Sequence, residues 1–276
     1  MTVGIVGLGL IGGSFAKAYR AAGHTVLALE KDETVYGFAE LSDAASGRLT
    51  KENVGGCDLV LVCVYQSAAI DFLRAYGAYF GGKPVVIDCC GTKRAIVKEG
   101  TALAEKYGFT YVGGHPMAGT QYSGFKYSRA NLFSGAPMVI VPKTCDDIGF
   151  LDGIKKLLGP AGFGRITVTT AEKHDEMIAF TSQLAHVVSS AYIKSPTALG
   201  QKGYSAGSYK DMTRVAWMNP EMWTELFIND ADRLVFEIDT IIENLTRYRN
   251  AIAEKDEKTL VRLIEEGRAR KKEVDG

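Results

Sequence analysis

Three stretches of the chain combine residue types and spacing that can do chemistry. Residues 113–124, GGHPMAGTQYSG, hold four glycines, a proline, a histidine and three hydroxyl side chains directly after an apolar strand. That composition builds a fixed irregular loop, and open sheets bind their ligands at strand ends of this kind. Pro116 confines the residue before it, His115, to extended backbone. A histidine held in that way can take a proton near neutral pH. Read locally, it serves equally well as a structural histidine bonded to loop carbonyls.

Residues 203–214, GYSAGSYKDMTR, lead serines and glycines into a helix on which Lys210 and Arg214 stand four apart, on one face. Two cations projecting together suit a substrate with one or two carboxylates, which an arginine can grip bidentately. The alternative is a surface pair balanced by Asp211. The third stretch, VGIVGLGLIGGS at residues 3–14, sets Gly7, Gly9 and Gly12 in a G-x-G-x-x-G pattern after a short apolar run and before a helical one. Gly7 allows the turn, Gly9 lets the backbone approach a pyrophosphate, and Gly12 seats the helix close to its strand. The free N–H groups of Leu10, Ile11 and Gly12 would then face an anion. Glu30 closes the next strand 18 residues after Gly12, where a carboxylate holds ribose hydroxyls. The pattern predicts a dinucleotide site rather than a ligand-free glycine turn. Glu30 favours NAD over NADP, although Lys31 beside it offers a partner for a 2′-phosphate.

The elements that must position these groups alternate at first between strand and helix. Apolar runs at 26–29, 58–64, 85–88, 111–112, 138–141 and 165–170 read as strands, with helical patterns at 33–46, 68–79 and 92–107 between the earlier ones. This predicts an α/β fold, a doubly wound parallel Rossmann sheet over residues 1–168, with the ends of its strands along a cofactor crevice. An all-helical substrate and dimerisation domain is expected over 169–276. Its first helix carries an apolar stripe through Met177, Phe180, Leu184, Val187 and Ala191. His186 lies on that helix near Gln183 and, taken alone, reads more readily as an interior histidine than as a ligand. His174 and His24 have no supporting context. A single long helix from Pro220 carries Trp223, Phe227, Leu234, Ile238, Ile241, Leu245 and Tyr248 close to a 3.5-residue period, a seam that polar Asp230 interrupts. Such a seam predicts packing against a second copy, with a long core helix of a monomer as the alternative.

Composition excludes several classes. Lys plus Arg and Asp plus Glu are both 32, so no polyanion partner such as nucleic acid is implied. No apolar run reaches a membrane span, and the chain begins without a basic leader. Five cysteines without C-x-x-C spacing suit reduced thiols and a cytoplasmic location.

Taken in order, G-L-G-L-I-G-G-S, G-G-H-P-M-A-G-T around His115, S-Q-L-A-H ending at His186 and Y-K-D-M-T-R ending at Arg214 resemble the prephenate dehydrogenases of tyrosine biosynthesis, over residues 3–270. The resemblance implies a Rossmann domain followed by a helical dimerisation domain, and oxidative decarboxylation of prephenate or arogenate with NAD(P)+. It makes His115 the catalytic histidine that bonds the ring hydroxyl and Arg214 the holder of a substrate carboxylate. His186 becomes a pocket histidine and Lys210 a basic neighbour of Arg214. It also exposes departures. The family's D-x-G-S-x-K reads Asp88-Cys89-Cys90-Gly91-Thr92-Lys93 here, so the serine that contacts substrate and nicotinamide falls on Gly91, with Thr92 as the candidate replacement. S-H-L-P-H reads S-Q-L-A-H. No regulatory domain of the ACT type and no fused chorismate mutase is expected. His186 suits a keto acid, which favours prephenate over arogenate. A 3-hydroxy acid dehydrogenase is disfavoured, because its lysine is followed four residues later by asparagine where this chain has Arg214. A dinucleotide-sensing protein without turnover would leave His115 and the paired cations idle.

Overall fold

Short runs of apolar, β-branched residues without polar alternation make strands that are buried on both faces, and such strands need helices above and below. In the computed structural model every residue is described except Gln121 and Cys145, so one cysteine of the five and one position of the histidine loop lie outside the described residues. The strands are β1 (Thr2–Val6), β2 (Thr25–Leu29), β3 (Gly47–Arg48), β4 (Leu59–Val62), β5 (Val85–Asp88), β6 (Thr110–Pro116), β7 (Pro137–Val141) and β8 (Arg165–Val168). They lie in the order β3-β2-β1-β4-β5-β6-β7-β8. Helices α1 (Leu10–Ala21), α2 (Glu33–Leu41), α3 (Gln66–Phe80), α4 (Arg94–Tyr107) and α5 (Ile148–Leu158) cover the sheet. Along β4 the side chains divide between two cores. Leu59 and Leu61 join Phe15 and Tyr19, whereas Val60 and Val62 join Leu73 and Phe80. Strand order reverses between β1 and β4, and the crevice at such a reversal is where open sheets bind nucleotides.

The expected all-parallel sheet is corrected at one place. β7 runs antiparallel to β6, pairing Gly113 with Val141 and His115 with Val139. No α-helix lies between β6 and β7 among the described residues, and an antiparallel neighbour needs no helical crossover. His115 therefore sits in a paired strand rather than in a loop beyond it.

The rest of the chain is helical: α6 (Ala171–Ile178), α7 (Ala185–Ile193), α8 (Gly207–Thr213), α9 (Pro220–Asn229), α10 (Ala231–Ala253) and α11 (Glu257–Asp275). Between α6 and α7, residues Ala179–Leu184 widen into π-helical turns, so the striped helix is not uniform. The long helix expected from Pro220 is two helices. Asp230 separates them at φ −127° and ψ 29°, because its side chain turns inward to an arginine of the sheet domain. Phe236, Ile242 and Leu245 of α10 are exposed. No helix among the described residues is long and apolar enough to cross a membrane.

Candidate active site

The turn from β1 into α1 meets the geometric demands of a dinucleotide cradle. Gly7 has φ +84°, a conformation that side chains resist, and its N–H donates to Leu29 O at 2.8 Å. A Cβ on Gly12 would run into Gly7 O, so only glycine lets α1 sit this close to β1. Gly9 faces open space on the side where a Cβ would stand. No side chain caps α1, which leaves the N–H groups of Leu10, Ile11 and Gly12 available to an anion. Glu30 follows β2 with its carboxylate fixed by two backbone donors, Leu8 N–H at 2.7 Å and Asp32 N–H at 3.0 Å. An open, uncapped helix start beside an oriented carboxylate fits an NAD pyrophosphate and its adenosine ribose.

At the far end of β6, His115 Nδ1 lies 2.9 Å from His174 Nε2, and His174 Nδ1 lies 2.7 Å from Asp175 Oδ1. Asp175 is fully buried and caps α4 from the helical half of the chain, accepting Lys93 N–H at 2.7 Å and Arg94 N–H at 2.9 Å. Burial opposes its ionisation, but the hydrogen bonds from His174 and these amides outweigh burial and hold its carboxyl below the usual range. Burial pulls His174 below the ordinary imidazole value despite Asp175. Burial, His174 and the Lys93 charge together hold His115 well below it. Near neutral pH both rings are therefore uncharged and their protons can be assigned. His174 gives its Nδ1 proton to the carboxylate, so its Nε2 is an acceptor, and His115 must donate from Nδ1. The lone pair of His115 is then on Nε2, which no described group engages.

A second buried cluster supports this one from below. Lys93 and Asp88, both fully buried, form an ion pair, and Asp88 also accepts Cys90 N–H at 2.9 Å and Tyr111 O–H at 2.7 Å. Gly114 N–H reaches the same carboxylate at 3.3 Å. A Cβ on Gly114 would stand 2.5 Å from Asp88 O and 2.8 Å from Met138 Cε, so the glycine before His115 permits close strand packing.

The helical half forms the other wall. His186 stacks on Trp223 with ring centroids 3.8 Å apart, and its Nδ1 lies 2.8 Å from Ser182 O. Burial lowers its pKa, and the nearby charge of Arg214 lowers it further. Arg214 N–H donates to Lys210 O across the last turn of α8, which keeps the two cations on one side. Both are exposed, and neither has an ion-pair partner among the described residues, Asp211 included. Gly91 packs under α9: a Cβ there would meet Leu226 Cδ2 at 2.7 Å. Thr92 is buried and donates its hydroxyl to Gln66 Oε1 at 2.8 Å, so that hydroxyl is committed to α3 rather than offered to the crevice.

His115, His174 and Asp175 come together, as do His186 and Arg214. Sequence reasoning missed His174 and Asp175. The available signal was an adjacent His-Asp pair one turn after Thr170, whose side chain caps α6 by accepting Lys173 N–H at 3.2 Å.

Comparison with known proteins fits this geometry. The prephenate dehydrogenase nucleotide-binding domain family matches residues 15–167, and the prephenate dehydrogenase dimerization domain family matches residues 170–266. The cyclohexadienyl dehydrogenase of Zymomonas mobilis is 31% identical over 268 residues, covering 92% of this chain and 89% of that protein. The crystal structure of prephenate dehydrogenase from A. aeolicus, in complex with hydroxyphenyl propionate and NAD+, is similar at a TM-score of 0.83 and 25% identity, covering 99% of this chain and 98% of that one. Synechocystis arogenate dehydrogenase shares the fold at a TM-score of 0.81 and 24% identity, with 99% and 100% covered.

Proposed function

Because the chain belongs to the prephenate dehydrogenase family, we propose that it oxidatively decarboxylates prephenate to 4-hydroxyphenylpyruvate, with His115 as general base. It is an oxidoreductase with an NAD-binding domain. The observation that carries the reading is the chain His115–His174–Asp175, which fixes a neutral histidine with its free Nε2 lone pair at the end of β6.

NAD+, when bound, supplies the hydride acceptor, with Gly7, Gly9 and the α1 amides on its pyrophosphate and Glu30 on its ribose. His115 Nε2 accepts the proton of the ring hydroxyl as that carbon gives up hydride. Positive charge developing on His115 is stabilised through His174 by the Asp175 carboxylate. Loss of carbon dioxide then makes the ring aromatic and asks little of the protein. Arg214, with Lys210 beside it, holds a substrate carboxylate, and His186 on its Trp223 platform meets the side chain. Gly91 and Thr92 shape the wall instead of supplying the hydroxyl, since Leu226 fills the space of a residue 91 side chain.

Purified protein incubated with NAD+ and either prephenate or arogenate tests this by NADH absorbance. Faster turnover of prephenate is expected, and no NADH with either substrate overturns the reading. We also propose a homodimer through residues 169–276, which the dimerization-domain match and the exposed apolar face of α10 support. Cys57, Cys63, Cys89 and Cys90 are free thiols, which suits work in the cytoplasm.

A further inference from the structure

Arg94 opens α4, where a cation opposes the helix dipole. Its position makes sense only through what the guanidinium touches in the helical half. Nη2 donates to Asp230 Oδ1 at 2.7 Å, Nη1 donates to Asp232 Oδ2 at 2.9 Å, and Nε lies 3.4 Å from Asp175 Oδ2. The backbone N–H of the same residue donates to Asp175 Oδ2. Arg94 thus bonds or pairs both with the carboxylate of the histidine chain and with the residue at the break between α9 and α10. Asp230, which makes that break, is fully buried, and its Oδ2 has no hydrogen-bond partner among the described residues. An isolated buried carboxylate at a helix break is costly unless it serves a charge partner.

We propose that Arg94 and Asp230 are positioning residues for His115. Arg94 partly neutralises Asp175, Asp230 draws the guanidinium back from it, and the balance sets how much negative charge the His174–His115 pair feels. The proposal rests on His115 being the base. The groups facing Asp230 are Arg94 from α4, Asp175 from α6, and Arg233 from its own helix, with Asp232 sharing Arg94. Burial and the Asp175 charge push the Asp230 carboxyl up to about 6, as expected of two carboxylates that share one cation. His174 and Lys93 face His115, and Asp175, Lys93 and Asp88 face His174.

The test uses opposite charge changes. Asp230→Asn lets Arg94 lean on Asp175, so the imidazoles become harder to protonate and the acidic limb of kcat moves to lower pH. Arg94→Met leaves Asp175 uncompensated, so the limb moves to higher pH. Each variant should lose about 10- to 100-fold in kcat through misplacement of the base, with substrate KM little changed because neither residue contacts the substrate carboxylates. In the double variant Asp230 has no guanidinium to draw, so the limb should stay where Arg94→Met alone puts it. NMR titration of the His115 and His174 rings reports the same opposite shifts without substrate, so this outcome stands apart from the identity of the reaction. Arg94→Lys keeps the charge if Arg94→Met folds poorly, and should hold the midpoint near its normal place. Shifts in the same direction, or unmoved midpoints in folded variants, overturn the proposal.

Discussion

Replacing Asp175 with asparagine removes one charge and keeps the shape, so its effect can be worked out bond by bond. The carboxylate accepts three N–H groups, from Lys93 at 2.7 Å, Arg94 at 2.9 Å and His174 Nδ1 at 2.7 Å. An asparagine has one acceptor oxygen. If that oxygen keeps Lys93 and His174, the amide NH2 faces the Arg94 N–H, donor against donor. A buried donor left without a partner costs about 1–3 kcal/mol of stability. If the NH2 turns toward His174 instead, that ring must present a lone pair at Nδ1 and carry its proton on Nε2, pointing at His115. His115 then accepts at Nδ1 and is protonated at Nε2, and the base is gone. Even with the original tautomer, the imidazolium that forms in the transition state has lost its counter-charge. General base catalysis contributes about 10²–10⁴-fold, so kcat should fall by that factor, or about 2.7–5.5 kcal/mol in the barrier. KM should change little, because Asp175 is fully buried behind His174 and is argued to act only through His115. Steady-state NADH formation at saturating NAD+ measures both. A folded Asp175→Asn protein with a near-normal kcat would refute the argument and reduce His174–Asp175 to a packing pair.

Glu30→Ala should narrow the preference for NAD+ over NADP+, since the fixed carboxylate both binds the ribose hydroxyls and repels a 2′-phosphate. Equal kcat/KM for the two cofactors in the unaltered protein would defeat this. Arg214→Ala should raise KM by about 10- to 100-fold with a smaller change in kcat, the worth of a charged hydrogen bond of about 1.5–3 kcal/mol to a carboxylate present before and during hydride transfer. Because His115 is held well below the ordinary imidazole range, kcat should stay level as pH falls to about 6.5 and decline only below it. Stability behaves differently: the unfolded chain protonates both histidines near pH 6.5 while the folded one does not. Their neutral burial therefore contributes stability that is present above that pH and is lost as pH falls below it through the lower folded values, which urea titrations at several pH values can follow. Light scattering at micromolar concentration should give a dimer mass, and a monomer would reject the assembly.

What the residue pattern revealed and what it hid divide along sequence distance. The nucleotide cradle was legible because every demand on it is local: Gly7, Gly9, Gly12 and Glu30 belong to one β-α-β unit, and the backbone rules for that unit fix their types. His115 was legible as a candidate because Pro116 and the glycines around it are its neighbours. Its tautomer was not, because His174 is 59 positions away and reaches it only when the helical half packs on the end of β6. The antiparallel β7 escaped notice for a related reason: an apolar run gives its strand character but not its direction. Asp230 is the most telling case. The heptad-like spacing on either side of it argues for one helix, and in an isolated helix that argument would win. Burial beside Arg94 supplies a competing charge interaction, and the helix breaks where the two demands meet. The residue that interrupts the seam is thus the one whose carboxylate meets Arg94 of the sheet domain, and a departure from local pattern marks a contact that local pattern does not encode.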